Sequence, residues 1–298
     1  MNDNLERNKQ AIQMKEKHHL KIRKMTVREV AGIALEWAAE EGWNPGLHDA
    51  IPFYKTDPDG FLIGLIDDEP VACISAVAYN PDFAFIGFLI VMPGFRGKGY
   101  GMEIWNAAMK RLPRHNIGLD GVVEQQHNYK KSGFKLAYRN IRFERTALQT
   151  TERFEEIVPL SEIPFNELIE YDSRLFPVPR STFLKSWIEQ PQSHAIAAVR
   201  NGKLSAYGLI RKCRSGYKIG PLFADDTELA HKLFLTLNNH AAAGEPVYLD
   251  TPEVNRAAVR LAEHYSMQKV FETARMYTKY QPDIDLNRVY GVTTFELG

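Results

Sequence analysis

The chain has 298 residues, 37 of them basic and 37 acidic, so its formal net charge is zero. That argues against duplex nucleic acid as a partner, because its binders carry a clear basic excess. No apolar run approaches about 18 residues, so no segment is expected to span a membrane, and the length exceeds what one core usually organises, so two domains are expected.

Residues 1–19 are polar, with neither a helical apolar stripe nor the apolar core and cleavage site of a secretory signal, and are expected to form a leader. "LKIRKMT" then reads as a strand. "TVREVAGIALEWAAEEG" predicts a helix: Thr26 and Glu29 have capping-box spacing, Val30, Ile33, Ala34 and Trp37 share one face, and Gly42 can close the end. A loop and short helix follow, then the strands "FLIGLI", "PVACISAVAY" and "FAFIGFLIV", separated by the turns "DDE" and "NPD". "MEIWNAAMKRL" predicts a helix, "NIGLDGVV" a strand, "QQHNYKKSG" a short helix and "AYRNIRFERT" a strand. This order indicates an α/β (α+β layered) fold around a mixed sheet flanked by helices. The two cysteines, Cys73 and Cys213, sit in apolar strand-like runs and predict core thiols of a reducing compartment, the cytoplasm.

The second half repeats the first. "HAIAAVRNGKLSAYGLI" from His194 has the layout of "FLIGLIDDEPVACISAV" from Phe61, an offset of 194 − 61 = 133 residues. The same offset relates "IG" at 219–220 to "IG" at 86–87, and "HYSMQKV" to "KSGFKLA". Two copies of one fold are therefore expected, 20–146 and 152–298, joined near residues 147–152.

The most informative stretch is "GFRGKGYG", residues 94–101, directly after the apolar "FIGFLIV". It is not a Walker loop, because Gly97-Lys98 is followed by Gly99 rather than a hydroxyl residue. Nor is it a dinucleotide fingerprint, since Met102 stands where the third glycine is required. What remains is Arg-x-x-Gly-x-Gly between a strand and a helix. Bare backbone N–H groups, the helix N-terminus, Arg96 and Lys98 would together suit a pyrophosphate, with no need for a metal.

Strand, "VMPGFRGKGYG", helix, strand, "YKKSGF", strand resembles the GNAT superfamily of acyl-CoA-dependent N-acyltransferases over roughly residues 20–146. The resemblance implies that Arg96, Gly97, Lys98, Gly99, Tyr100 and Gly101 hold the pyrophosphate of coenzyme A. It implies also that Leu89, Ile90 and Val91 pair through their backbone with the pantetheine arm, and that Tyr129 protonates the leaving thiolate. The family's asparagine before that tyrosine is missing. The C-terminal half resembles the YitH-like acetyltransferase domain of tandem GNAT proteins, through "YDSRLFPVPRSTFLKSW" and "ARMY". Shifted by 133, the loop falls on "LAHKLF" and Tyr129 on Ala262, so this half is expected to lack the activity and to wall off the acceptor pocket or support the fold.

These readings predict an N-acetyltransferase that uses acetyl-CoA and passes the acetyl group to a primary amine of a small molecule or amino acid by direct attack. An acyl-CoA-binding sensor and a peptide acetyltransferase are the alternatives. Glu124 is the candidate base, with Asp120 or a water chain able to serve instead, and the backbone N–H near Leu89 is the candidate oxyanion donor. Trp43, Asn44 and Asp172 are candidate substrate contacts, although Trp43 and Asn44 can equally only stop the helix and Asp172 can pair structurally with Arg180. The nine histidines show no metal-ligand spacing, so no metal is expected.

Overall fold

The structure, a computed structural model, describes residues 19–298; the expected leader thus lies, except for His19, outside the described residues. In the first half, β1 (Lys21–Lys24) leads into helix α1, built from Val27–Glu29, a π-helical Val30–Ala34 and Leu35–Glu40. The capping box forms as expected: the Glu29 N–H donates to Thr26 Oγ1 at 3.3 Å and the Thr26 N–H to Glu29 Oε2 at 2.8 Å. Helix α2 (Ala50–Thr56) and strands β2 (Phe61–Ile66), β3 (Glu69–Ala78) and β4 (Phe83–Val91) follow. Then come α3 (Tyr100–Arg111), β5 (Asn116–Val122), α4 (Gln126–Lys131) and β6 (Lys135–Thr146).

The second half runs β7 (Ile157–Pro159), α5 (Phe165–Asp172), α6 (Ser181–Ile188), β8 (Ser193–Arg200), β9 (Lys203–Lys212) and β10 (Tyr217–Ala224). It continues with α7 (Thr227–Asn238), β11 (Pro246–Pro252), α8 (Arg256–His264), β12 (Gln268–Tyr277) and β13 (Val289–Gly291). The mixed, mostly antiparallel character holds, with parallel pairing at β4–β5 and β10–β11. The strands of the two halves nevertheless form one sheet, in the order β1-β2-β3-β4-β5-β12-β6-β11-β10-β9-β8-β7, with β13 against β10.

That order contains an exchange. Strand β12, from the second half, pairs with β5 of the first, and β6, from the first, pairs with β11 of the second. Each exchanged strand carries a buried arginine bound to an aspartate of the other half. Arg275 on β12 binds Asp120 on β5 through Nη2 at 2.6 Å and Nε at 2.9 Å. Arg142 on β6 binds Asp250 on β11 through Nε at 2.7 Å and Nη2 at 2.8 Å. The two arginines are one repeat apart, 275 − 142 = 133 residues.

One face of the sheet packs on α3 through Tyr100, Ile104, Trp105 and Ala108, with Ala274 and Met276 of β12 joining that core. On the other face α1 and α2 meet α6 of the second half, where the Phe53 ring stacks on Trp187 at 5.9 Å. Apolar burial therefore runs across the repeat boundary on this face too.

Burial pushes the Asp250 carboxyl up, but the Arg142 guanidinium outweighs this and holds it below the usual carboxylate range. The pair's stabilisation is thus present at neutral pH and fades as pH falls through the depressed value. Asp250→Ala would leave Arg142 buried and unpaired. Chemical denaturation should then show a loss of about 3–5 kcal/mol in unfolding free energy, and an unchanged midpoint would refute the role given to this pair.

Candidate active site

Strands β4 and β5 stay paired only from Phe83↔Asn116 to Ile86↔Leu119. Beyond Ile86 they part because β4 kinks. Phe88 takes a φ of 50°, and neither Phe88 nor Leu89 has a register partner on β3, while Gly87 pairs with Ser75 and Ile90 with Cys73. Gly87 is needed there by close approach, since a Cβ would collide with the backbone carbonyl of Glu296. The parting strands open a cavity of about 520 Å³, walled by Ile86–Val91 on one side and Leu119–Val122 on the other.

The glycine loop closes the outer end. Gly97 and Gly99 have φ values of 76° and 94°, the left-handed region that side chains resist. Gly99 is the N-cap of α3 and offers no capping side chain. Among the described residues, no backbone partner engages the N–H groups of residues 97–101. Five such donors at the positive end of a three-turn helix are suited to an anion. Arg96 and Lys98 are both exposed. The Arg96 Nε donates to the Val91 carbonyl at 2.8 Å and its Nη2 pairs with Glu41, which fixes the loop to the end of α1. The Lys98 ammonium lies 5.1 Å from the centre of the Phe95 ring. Tyr100 turns its ring into the core beside Phe95, so only its backbone faces the loop.

Tyr129, on α4, lines the same cavity with its ring against Trp105 and Phe134, at 5.8 and 6.5 Å. Room for it comes from Gly121, where any Cβ would strike the ring. Burial pushes its phenol up to about 12, so the hydroxyl keeps its proton at neutral pH.

The inner end is built largely by the second half. Trp43, just after α1, faces Phe271 and Thr273 of β12 and Phe295 and Glu296 of the segment that follows β13. None of these second-half residues was expected in the site, and no local spacing points to them.

The other sequence candidates lie elsewhere. Glu124 is exposed on the short turn Val123–Gln125 and does not line the cavity. Asp120 does line it, but its carboxylate is committed to Arg275, to the Asn140 amide at 2.8 Å and to the Thr273 hydroxyl at 3.3 Å. Asn44 stitches the halves together: its side chain donates to the Ser215 carbonyl and accepts from the Ser215 N–H, each at 2.9 Å. Asp172 is wholly buried in a two-point pair with Arg180 at 2.8 and 2.9 Å, away from the cavity. It is the structural pair that the sequence offered as its second reading.

The corresponding place in the second half is closed. The offset of 133 does not persist here, because Asp225 and Asp226 alone separate β10 from α7, against residues 92–99 between β4 and α3. The loop is deleted rather than replaced by "LAHKLF". Asp226 caps α7 by accepting the Leu229 N–H at 2.9 Å, so the helix end is satisfied by its own side chain. Tyr129 does correspond to Ala262, since the carbonyls of both accept from the residue five positions on, Phe134 and Met267, at 3.1 and 3.0 Å. Strand β13 also occupies the space where β10 leaves β11, pairing Gly291 with Leu222.

Residues 30–134 match the acetyltransferase (GNAT) family, and residues 168–291 match an acetyltransferase (GNAT) domain. A holothin acyltransferase of Pseudoalteromonas sp. (strain SANK 73390) is 32% identical over 267 residues, covering 89% of this chain and 90% of that protein. YitH of Bacillus subtilis (strain 168), named as an uncharacterized N-acetyltransferase, is 23% identical over 238 residues, covering 78% and 83% of the two chains. A crystal structure from Pyrococcus horikoshii, described as a candidate acetyltransferase, superposes with a TM-score of 0.80 at 24% identity, over 95% of this chain and 100% of that one. The chain belongs to the GNAT superfamily and carries two GNAT units in tandem. It is an acyltransferase. No described helix is long and apolar enough to cross a membrane, and among the described residues no cluster of His, Cys, Asp or Glu is arranged to hold a metal ion.

If the loop donors bind an anion, Gly99→Glu should block them with a strained backbone and a repelling charge. Calorimetry with acetyl-CoA should then find no binding in a folded variant, and an unchanged affinity would remove the loop from the site.

Proposed function

We propose that this acyltransferase uses acetyl-CoA as donor and acetylates a primary amine of a small molecule. The observation that carries this reading is a single cavity with free backbone donors at its outer end, a protonated phenol in its wall and an aromatic inner end. Arg96, Gly97, Lys98, Gly99, Tyr100 and Gly101 would hold the pyrophosphate, Tyr100 through its backbone alone. The backbone at Phe88 and Leu89, which has no register partner on β3, would meet the pantetheine arm, with Ile90 and Val91 continuing that wall. Enclosure by β12 and residues 292–298 favours a small acceptor over a protein tail, and the relative that aligns across both halves is named for holothin. With both cysteines buried and unpaired, the cytoplasm is the compartment that fits.

In the reaction the acceptor nitrogen attacks the thioester carbonyl carbon, a C–N bond forms and the C–S bond breaks. The Leu89 N–H is the donor placed to meet the oxyanion. Tyr129 gives its proton to the sulfur. The burial that raises its phenol equally disfavours a bare thiolate, whose usual pKa is about 8.5, so the transfer is less uphill than solution values imply.

Tyr129→Phe removes one hydroxyl and almost no volume. Thiol release with acetyl-CoA and a panel of amines should fall by roughly 10²-fold, with acetyl-CoA affinity little changed. Retained turnover would remove Tyr129 from the mechanism, and a parent protein inactive on every amine would overturn the proposed acceptor class. Titration should give one coenzyme A per chain, because the second splay is filled by β13; two equivalent sites would contradict that assignment.

A further inference from the structure

Glu296 lines the inner end of the cavity at 3% exposure, yet its Oε1 is buried with no hydrogen-bond partner among the described residues. Buried polar atoms are as a rule hydrogen-bonded, so a bare carboxyl oxygen at a cavity wall points to a ligand donor. The other oxygen is engaged. Thr294 Oγ1 donates to Glu296 Oε2 and in turn accepts the Glu296 N–H at 3.2 Å, so the side chain is oriented from its own segment. The backbone beneath it is pinned, because the Glu296 carbonyl rests on Gly87 and the Thr293 carbonyl on Gly220. The nearby buried cations have other partners: Arg142 has Asp250, Arg211 has Asp49, and Lys218 donates to the Trp43 and Asn44 carbonyls at 3.4 and 2.9 Å.

We infer that Glu296 Oε1 receives the ammonium group of the acceptor and takes the proton that frees its nitrogen for attack. The inference rests on the reaction proposed above and narrows its acceptor. Trp43, Phe271 and Phe295, which line the same cavity, suit a flat apolar body. Among the described residues lining the cavity Arg96 is the sole cation, and it sits at the loop end paired with Glu41. An amino-acid carboxylate would therefore enter without a partner. The substrate class is an aryl- or arylalkyl-amine without an acidic group.

The protons balance. The ammonium gives one proton to Glu296, which passes it to solvent. The nitrogen loses a second to water as the C–N bond forms, and Tyr129 supplies the sulfur and recovers its proton from that water. One proton is released per turnover.

The test uses the full chain. Acetylation of phenethylamine, tyramine and tryptamine is compared with that of phenylalanine, tyrosine and tryptophan, in the parent and in Glu296→Gln. The parent should prefer each amine to its amino acid, and the variant should lose about 10²-fold in kcat/KM while binding acetyl-CoA normally. Equal turnover by the parent and the variant would overturn the role of Glu296 and leave the proposed reaction standing. Should the variant fail to fold, calorimetry on the parent with coenzyme A, which carries no acetyl group to transfer, decides instead. Tyramine should bind about tenfold or more tightly than 4-ethylphenol, which has the same ring and no amine, and equal affinities would overturn the inference.

Discussion

Two buried arginine–aspartate pairs, Arg275 with Asp120 and Arg142 with Asp250, hold the exchanged strands, and the remaining architecture depends on them. A buried guanidinium without its carboxylate is far costlier than a lost surface contact. Side chains of a strand alternate faces, so a slip of one residue would turn each arginine away from its partner. The same slip would take Ala274 and Met276 out of the core on α3, so the charges and the apolar burial select one register. The consequence is that β12 brings Phe271 and Thr273 to the cavity of the first half. The cavity is thus composite because the sheet is.

The same scaffold has opposite fates in its two halves, and the difference begins at a helix N-terminus. The first N–H groups of any helix need a partner. In α7 the partner is the side chain of Asp226, supplied by the chain itself. In α3 the cap is Gly99, which supplies none, and the loop before it leaves further donors unpaired. The space between the parting strands follows the same division, filled by β13 in one half and open in the other. One half caps its helix with its own side chain, while the other leaves those donors unpaired.

Much of the fold was legible in the sequence because it is written locally. The capping box of Thr26 and Glu29, the buried runs of β2 to β4, and the glycine loop between a strand and a helix all lie within a few residues of what they determine. Tyr129 was legible for the same reason, standing five residues before the Phe134 that its carbonyl engages. The strand exchange was not, because both halves carry equivalent strands and nothing in either says which neighbour it joins. Glu124 had the position of a base by proximity in sequence, but the turn after β5 points it to solvent. Glu296 is about 170 residues from Tyr129 in sequence, and one glutamate in "TTFELG" carries no pattern.

Segment 289–298 shows why the half without a glycine loop still helps to build the cavity. Its first residues, as β13, are fixed against β10 by the pairs Leu222↔Gly291 and Phe223↔Val289, and the Val292 N–H is held by the Asp250 carbonyl at 2.8 Å. From that anchor the chain crosses Gly220 and Gly87 in turn, and the Tyr79 hydroxyl then holds the Leu297 carbonyl at 2.9 Å. Glu296 lies between two fixed points, so its backbone is held by β13 and Tyr79 while Thr294 orients its carboxylate. Filling the second splay and furnishing the first are therefore one structural act: the strand that closes the unused site places the acidic group at the end of the open one.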